Sequence, residues 1–387
     1  MSVMETNATR QNEAPWIDFF GTPPALPAKP SPGTPGPART WDHRITYPTP
    51  RLLTSIKEMF WFWGVHGPWS RLRKSTPGLH APLRPQANLR KARPGEVRIT
   101  WAGHASFIVQ MGGRTLLLDP IWSNTLPGGI RRLVEPGIPW EGLPAIDGVL
   151  ISHNHFDHMD KRTLLRLPKD TPMFVPHGNA GWFERHGFLD VTELDWWQDA
   201  GLGGLRIELV PAHHWSRRGL FDRNHSLWGG WVITDANGRK VYFSGDTAYG
   251  TCFEAIGKRH PNIDVALLPV GAYAPREHNG GVHTDPEEAV QAFRDLGAKA
   301  MVPMHWGTFR LSPEPVMEPI EWTRRAWADA GLDANALWEM PVGGSRSIAA
   351  PARNHSEHQH QPIRLPVAQT TQVRVPFSVA WGASTTG

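Results

Sequence analysis

Hydrophobic positions along the chain take on a short, strand-like period near residue 97. From there, brief apolar runs alternate with tight polar or glycine-rich connections. Val97-Arg98-Ile99-Thr100, Phe107-Ile108-Val109-Gln110 and Thr115-Leu116-Leu117-Leu118 read as strands, the last two joined by a Gly112-Gly113 turn. The same pattern predicts strands at Gly148–Ile151, Met173–Val175, Leu205–Val210, Trp231–Thr234, Lys240–Ser244, Val265–Pro269 and Lys299–Pro303. Helices are expected over Lys161–Leu167 and across Trp182–His186, where Gly187 supplies a C-terminal cap. Another starts at Asp285-Pro286-Glu287-Glu288, where proline in the first turn and acidic residues suit a helix N-terminus, and a last one runs from about Ile320 to Ala330. Strand-rich halves with helices between them predict an α/β (α+β) fold of two sheets packed face to face and covered by helices.

Both ends break this pattern. Residues 1–40 are rich in Pro, Gly, Ala and Thr, a composition that buries little and is expected to form a disordered arm. The stretch 351–387 reads as a similar tail, and its His355, His358 and His360 have no rigid element to fix a metal geometry. The folded domain is therefore expected over 41–350, beginning with an aromatic and basic extension at 41–95. Phe60-Trp61-Phe62-Trp63 lies beside Arg71, Arg73 and Lys74, and Arg51–Arg93 holds nine Lys or Arg against the single acid Glu58. Such a segment at 51–75 suits either a bilayer headgroup region or a helix packed on the core.

Composition narrows the chemistry. The formal charge of +4 is small for 387 residues and does not imply nucleic acid. The single cysteine, Cys252, excludes an internal disulfide framework and a cysteine-based zinc site, whereas 19 histidines are an ample supply of ligands. No apolar run approaches the ~20 residues of a membrane-crossing helix. Met1–Arg10 is polar, so a cytoplasmic location with peripheral membrane contact is the expectation.

The densest chemistry follows the Gly148–Ile151 strand. In Ser152-His153-Asn154-His155-Phe156-Asp157-His158, three imidazoles and a carboxylate occupy six positions. His153 and His155 alternate as on an extended segment and point one way; Asp157 and His158 reach a second point. Four donors this close suit a pocket for two transition-metal ions, zinc or, with the same ligands, iron or manganese. Further donors stand at the ends of predicted strands: Asp246 in Ser244-Gly245-Asp246-Thr247, His305 in Met304-His305-Trp306-Gly307, and His213 or His214, which spacing leaves competing for one role. His104 and Asp119 are expected to support ligands by hydrogen bonding, and Trp196 and Trp197 to pack.

The segments TWAGHASFIVQM, LLLDPIW, ISHNHFDHMD, TELDWW, HWSRRGLFDRNHSLWGGW, FSGDTAYG, PVGAYAPR, VHTDPEEAV and MHWGTF resemble the N-acylphosphatidylethanolamine-hydrolysing phospholipase D family of the metallo-β-lactamase superfamily. The match runs from about Trp101 to Arg346. It implies the αβ/βα four-layer sandwich, with two Zn²⁺: one on His153, His155 and His214, the other on Asp157, His158 and His305, and Asp246 bridging. The resemblance selects His214 over His213, because the family's ligand directly precedes the tryptophan, here Trp215. It also points to His283 as a catalytic group near the substrate phosphate, with Val282 standing where mammalian-type members carry glutamine. The implied reaction is attack by activated water on a phospholipid, releasing phosphatidic acid and N-acylethanolamine. Possession of the whole ligand set argues against a purely structural membrane protein. The alternative is a hydrolase of a small soluble substrate, such as a cyclic phosphodiester, lactone or other ester. The lipid reading expects an apolar groove lined by 51–75 and by the loop Asn124–Trp140; the resemblance also implies a homodimer.

Overall fold

The computed structural model describes residues 80–349. The arm at 1–40, the aromatic–basic stretch at 51–75 and the tail at 351–387 lie outside the described residues. In chain order the strands are β1 (Val97–Gly103), β2 (Ser106–Met111), β3 (Arg114–Leu118), the short ribbon β4 (Thr125–Leu126) and β5 (Ile130–Arg131), β6 (Gly148–Leu150), β7 (Met173–Pro176), β8 (Val191–Leu194), β9 (Asp199–Leu202), β10 (Leu205–Val210), β11 (Gly230–Thr234), β12 (Lys240–Phe243), β13 (Val265–Pro269), β14 (Met301–Met304) and β15 (Ser345–Ile348). The helices are α1 (Lys161–Leu164), α2 (Ala180–Arg185), α3 (Cys252–Arg259), α4 (Arg276–Asn279), α5 (Pro286–Leu296) and α6 (Glu318–Asp329).

The first sheet has the order β15-β1-β2-β3-β6-β7-β8 and the second β14-β13-β12-β11-β10-β9. Each combines an antiparallel meander with a parallel set: β3, β6, β7 and β8 in one, β12, β13 and β14 in the other. The inner strands β2, β3, β6 and β7 of the first sheet are buried on both faces, and their residues separate with period two. Phe107, Val109, Leu116, Leu118, Leu150 and Phe174 enter the main core between the sheets. Their neighbours Ile108, Leu117, Val149, Ile151, Met173 and Val175 join a second cluster with Leu164 of α1 and Phe183 of α2. On the second sheet, Phe253, Ile256, Val290, Phe293 and Trp327 bring α3, α5 and α6 into the main core. The result is a four-layer αβ/βα sandwich. Phe107 and Phe243 meet edge to face across its centre, with ring centroids 6.3 Å apart.

Local signals in the sequence explain several boundaries. Gly112 (φ 56°) and Gly113 (φ 75°) both take the left-handed conformation that a two-residue hairpin turn needs. Asp285 and Glu288 form a reciprocal capping box at the start of α5, and Gly297 (φ 60°) ends it. The helix expected over Lys161–Leu167 stops at Leu164, because Pro168 follows and the chain turns ahead of it.

Asp264, at the entry to β13, ties strand starts together. It is buried and accepts from Lys299 Nζ (2.8 Å), Lys240 N (2.9 Å) and Arg239 Nη1 (3.1 Å). Burial pushes its carboxyl up, but the Lys299 ammonium, the Lys240 N–H and Arg239 outweigh this and hold it below the usual range. A depressed carboxylate stabilises the fold above its unfolded pKa and loses that contribution as pH falls through its folded value. Asp264→Asn is therefore expected to lose about 1–3 kcal/mol of stability near pH 7 and to unfold at a lower temperature. The gap to wild type should close below about pH 4. Thermal melts of both proteins across pH measure this, and a gap that persists unchanged at low pH rules out the carboxylate as its source.

Candidate metal centre

The donor side chains gather where strands of both sheets end. Asp119 follows β3, the His153–His158 loop follows β6, His214 follows β10, Asp246 follows β12 and His305 follows β14. Two close approaches seat the loops against one another. Gly229 N donates to Ser152 O (3.0 Å), and a Cβ on Gly245 would stand 2.5 Å from the Ser152 Cβ. Trp231 Nε1 of the second sheet also donates to Ile151 O of the first (3.1 Å). Three non-glycine residues of the centre, His104 (φ 56°), Asp119 (φ 38°) and His305 (φ 64°), hold left-handed backbone, a local strain typical of functional sites.

The donors fall into two neighbouring groups. His153, His155 and His214 converge, as do His104, Asp157, His158 and His305, with ligand atoms inside 4.8 Å in each group. Asp246 lies between them, its Oδ2 3.0 Å from His158 Nε2, 3.2 Å from His305 Nε2, and 3.9 Å from His153 Nε2 and from His214 Nε2. His213 is in neither group; its backbone N–H donates to Thr247 Oγ1 (2.9 Å). Trp196 packs against the core and donates to Trp228 O (2.6 Å), while Trp197 lies under the Arg259 guanidinium.

One buried carboxylate orients an imidazole in each group. Asp119 accepts from His158 Nδ1 (2.7 Å), from Ser152 Oγ (2.5 Å) and from Ser152 N (2.7 Å). The same Ser152 Oγ accepts from His153 Nδ1 (2.8 Å). His214 Nδ1 donates to Val282 O (2.9 Å). His153, His158 and His214 therefore each turn an unprotonated Nε2 inward when neutral. His153 Nε2 and His155 Nδ1 stand 2.9 Å apart, and His214 Nε2 stands 3.2 Å from that same Nδ1. Lone pairs so close repel unless a proton or a cation lies between them. A tetrahedral ion with nitrogen ligands at ~2.0–2.1 Å would set them about 3.4 Å apart, close to the spacing here.

Charge leads to the same conclusion. Burial and the neighbouring imidazoles hold His153 well below its usual range and His155 and His214 at about 3, which is the neutral state that ligates. Burial opposes ionisation of Asp157 and Asp246, but His158 and the other imidazoles hold both carboxyls well below the usual range. Burial likewise lowers His158 and His305, yet Asp246 and Asp157 raise the first well above normal and the second to about 9. Two ionised carboxylates in so enclosed a space need positive charge beside them, which protonated His158 and His305 or bound cations supply. The donor set fits a two-metal site.

A profile of the beta-lactamase superfamily domain matches residues 114–306. An uncharacterized protein of Mycobacterium tuberculosis is 38% identical over 260 residues, covering 62% of this chain and 69% of that protein. The chain belongs to the metallo-β-lactamase superfamily. Within the superfamily, N-acyl-phosphatidylethanolamine-hydrolyzing phospholipase D 1 of Caenorhabditis elegans is 35% identical over 238 residues, covering 57% of this chain and 67% of that enzyme. Among solved structures, the isothiocyanate hydrolase from Delia radicum gut bacteria shares the fold with a TM-score of 0.54 at 21% identity, covering 65% of this chain and 99% of that one. Superfamily membership and the paired donor groups make this a metal-dependent hydrolase.

Some features of the centre lay beyond the sequence. Ser152 sits inside the histidine run, yet only the fold reveals it as the link between His153 and Asp119. Arg276, from α4, donates to His283 O (3.1 Å) and to Glu288 (2.6 Å), and so anchors the backbone of His283, whose ring lies with His214 and Asp246. His104 donates to Asp157 Oδ2 (2.9 Å) and its ring lies tilted against that of His305, centroids 4.2 Å apart, as close to the donors as a ligand would be. The loop Asn124–Trp140 meets the chain after β14, where Arg132 bridges to Phe309 and lies over its ring (4.7 Å). A small pocket next to His305 is lined by the chain after β14, including Phe309, Arg310, Ser312 and Glu314. Leu126 and Ile130 of the expected wall pack inward against Ile121, Phe309 and Leu311.

Asp119→Asn offers a direct check. The amide cannot accept from His158 and Ser152 together without turning a donor on one of them. Metal affinity is expected to fall ~10- to 100-fold at both positions, the range for lost support of a ligand. Titration with Zn²⁺ against a competing chelator measures it, and loss at only one position would contradict the shared role.

Proposed function

We propose that this hydrolase cleaves a phosphodiester, with an N-acylphosphatidylethanolamine-like phospholipid as its substrate class. The observation that carries a two-metal hydrolysis is Asp246 Oδ2 standing between the two donor groups. His153, His155 and His214 would hold one ion, Asp157, His158 and His305 the other, and Asp246 would touch both. Bound there, divalent metals supply Lewis acidity, which activates water and offsets the charge on phosphoryl oxygens. Asp246 orients the attacking water by accepting its hydrogen bond. Burial and the neighbouring His214 and His305 hold His283 at about 3, so it meets substrate as a neutral imidazole. A neutral ring serves better as an N–H donor to a phosphoryl oxygen than as the acid for the leaving alkoxide. The lipid assignment draws its support from the likeness to the nematode phospholipase D.

A second reading has the broader support: hydrolysis of a small soluble ester or phosphodiester. The pocket beside His305 carries Arg310, Ser312 and Glu314 in its wall. Metal-loaded protein assayed on N-acylphosphatidylethanolamine and on bis(p-nitrophenyl) phosphate separates the two. Release of N-acylethanolamine is expected. Turnover of the small phosphodiester with the lipid left intact would establish the second reading in its place.

A further inference from the structure

We propose that the loop Trp215–His225, at the mouth of the metal centre, docks on a lipid bilayer bearing anionic headgroups. Its tip presents Leu220 and Phe221 side by side, 77% and 84% exposed. Single exposed apolar residues are ordinary on protein surfaces, and Leu189, 80% exposed, is such a case. An adjacent pair at the tip of a fixed loop, with three arginines around it, is not scattered in this way.

The loop is built to hold that pair outward. Asp222 accepts from Gly219 N (2.7 Å) and Arg218 N (3.1 Å), which closes the turn. Asn224 N donates to Ser216 O (2.8 Å) and Ser216 Oγ to Ser226 O (2.5 Å), which joins the two arms of the loop. Arg217 N and Arg218 Nη1 donate to the side chain and backbone of Asn154, in the histidine run (2.8 and 3.0 Å). The tip is thus fixed to the loop that carries the metal donors, and little ordering remains to be done on insertion.

Charge indicates the occupant. Arg217, Arg218 and Arg223 stand close to the tip in sequence, Arg218 turned inward onto Asn154 O, and the loop's one carboxylate, Asp222, is engaged by backbone N–H groups. Arg218 lies over the half-exposed Phe156 (4.6 Å) and Arg223 over Trp215 (4.6 Å). Apolar residues at a tip with arginines and aromatic rings behind them match the layering of a bilayer surface: acyl chains outermost from the protein, then anionic headgroups. Trp215 in turn packs 4.4 Å from His155, so a docked tip brings the surface to the centre. The inference concerns docking and holds whichever ester the centre cleaves.

The full-length protein tests it without any turnover. Cys252 is buried, and burial pushes its thiol up to about 12, so a cysteine placed by Phe221→Cys can be labelled selectively with an environment-sensitive dye. The emission is expected to be that of a solvent-exposed dye in buffer and to shift to the blue on phosphatidylcholine–phosphatidylglycerol vesicles, far less on phosphatidylcholine alone. In co-sedimentation, Leu220→Ser with Phe221→Ser is expected to weaken binding to the mixed vesicles at least ~tenfold, with the melting curve unchanged. Three results would overturn the proposal. The dye could already be shielded in buffer, which assigns the tip to another segment of this chain or to a second copy. Vesicles could leave its emission unchanged. The double variant could sediment as wild type does, which assigns docking to another surface.

Discussion

Asp246→Asn is expected to lower turnover at least ~10³-fold, about 4 kcal/mol of transition-state stabilisation. A single oxygen of the Asp246 carboxylate lies within 4 Å of imidazoles from both donor groups. Its other oxygen, Oδ1, is buried without a protein partner and is left to meet a metal or the attacking water. An asparagine keeps the shape and removes the charge. Its amide nitrogen would also bring N–H donors to nitrogens that must keep their lone pairs for metal. Bis(p-nitrophenyl) phosphate turnover, with metal content read by mass spectrometry, reports both effects. Wild-type turnover in the variant would remove Asp246 from the mechanism.

The second large effect comes from the residue before it. Gly245 takes φ 58°, and a Cβ there would meet the Ser152 side chain at 2.5 Å and Gly229 O at 3.1 Å. Gly245→Ala therefore adds left-handed strain to a contact that cannot close. The turn must back away from the histidine run, carrying Asp246 with it. A displacement near 1 Å at a reacting group costs ~10²-fold, and loss in that range is expected for kcat, with the protein still folded. The measurement is kcat together with the melting temperature. A variant that melts as wild type and turns over normally would show that the close approach does not govern Asp246.

These two neighbours illustrate how legible the centre was. Asp246 stands out because the histidine run calls for further donors at strand ends; a Ser-Gly-Asp-Thr turn alone reads equally as a turn-forming aspartate. Gly245 carried no such mark, because its importance lies in what occupies the space beside it. The same holds for Ser152, whose hydroxyl joins His153 to Asp119, and for Arg276, which reaches His283 through its backbone oxygen. Donor identity is written locally, whereas the contacts that aim a donor come from segments distant in the chain.

The sheets divide along similar lines. Strands buried on both faces, such as β2, β3 and β7, announce themselves through continuous apolar runs. The strands that escaped prediction are mostly edges. β8 (VTEL) and β15 (SRSI) close the two ends of the first sheet, and β9 (DAGL) closes one end of the second. An edge strand meets solvent and has no need of an apolar run. The helix α3 was missed for another reason: its sequence, CFEAIGKR, includes a glycine, and Gly257 is needed where the helix passes the Asp295 and Leu296 carbonyl oxygens.

The origin of the donors has a consequence for the whole sandwich. His153, His155, Asp157 and His158 hang from the first sheet, while His214, Asp246 and His305 hang from the second. Each proposed ion therefore takes ligands from both halves, and loading it fastens one half to the other. The centre is then a clasp as well as a catalyst. Free energy of metal binding becomes free energy of holding the two layers in register, through the linkage that makes any native-state ligand a stabiliser.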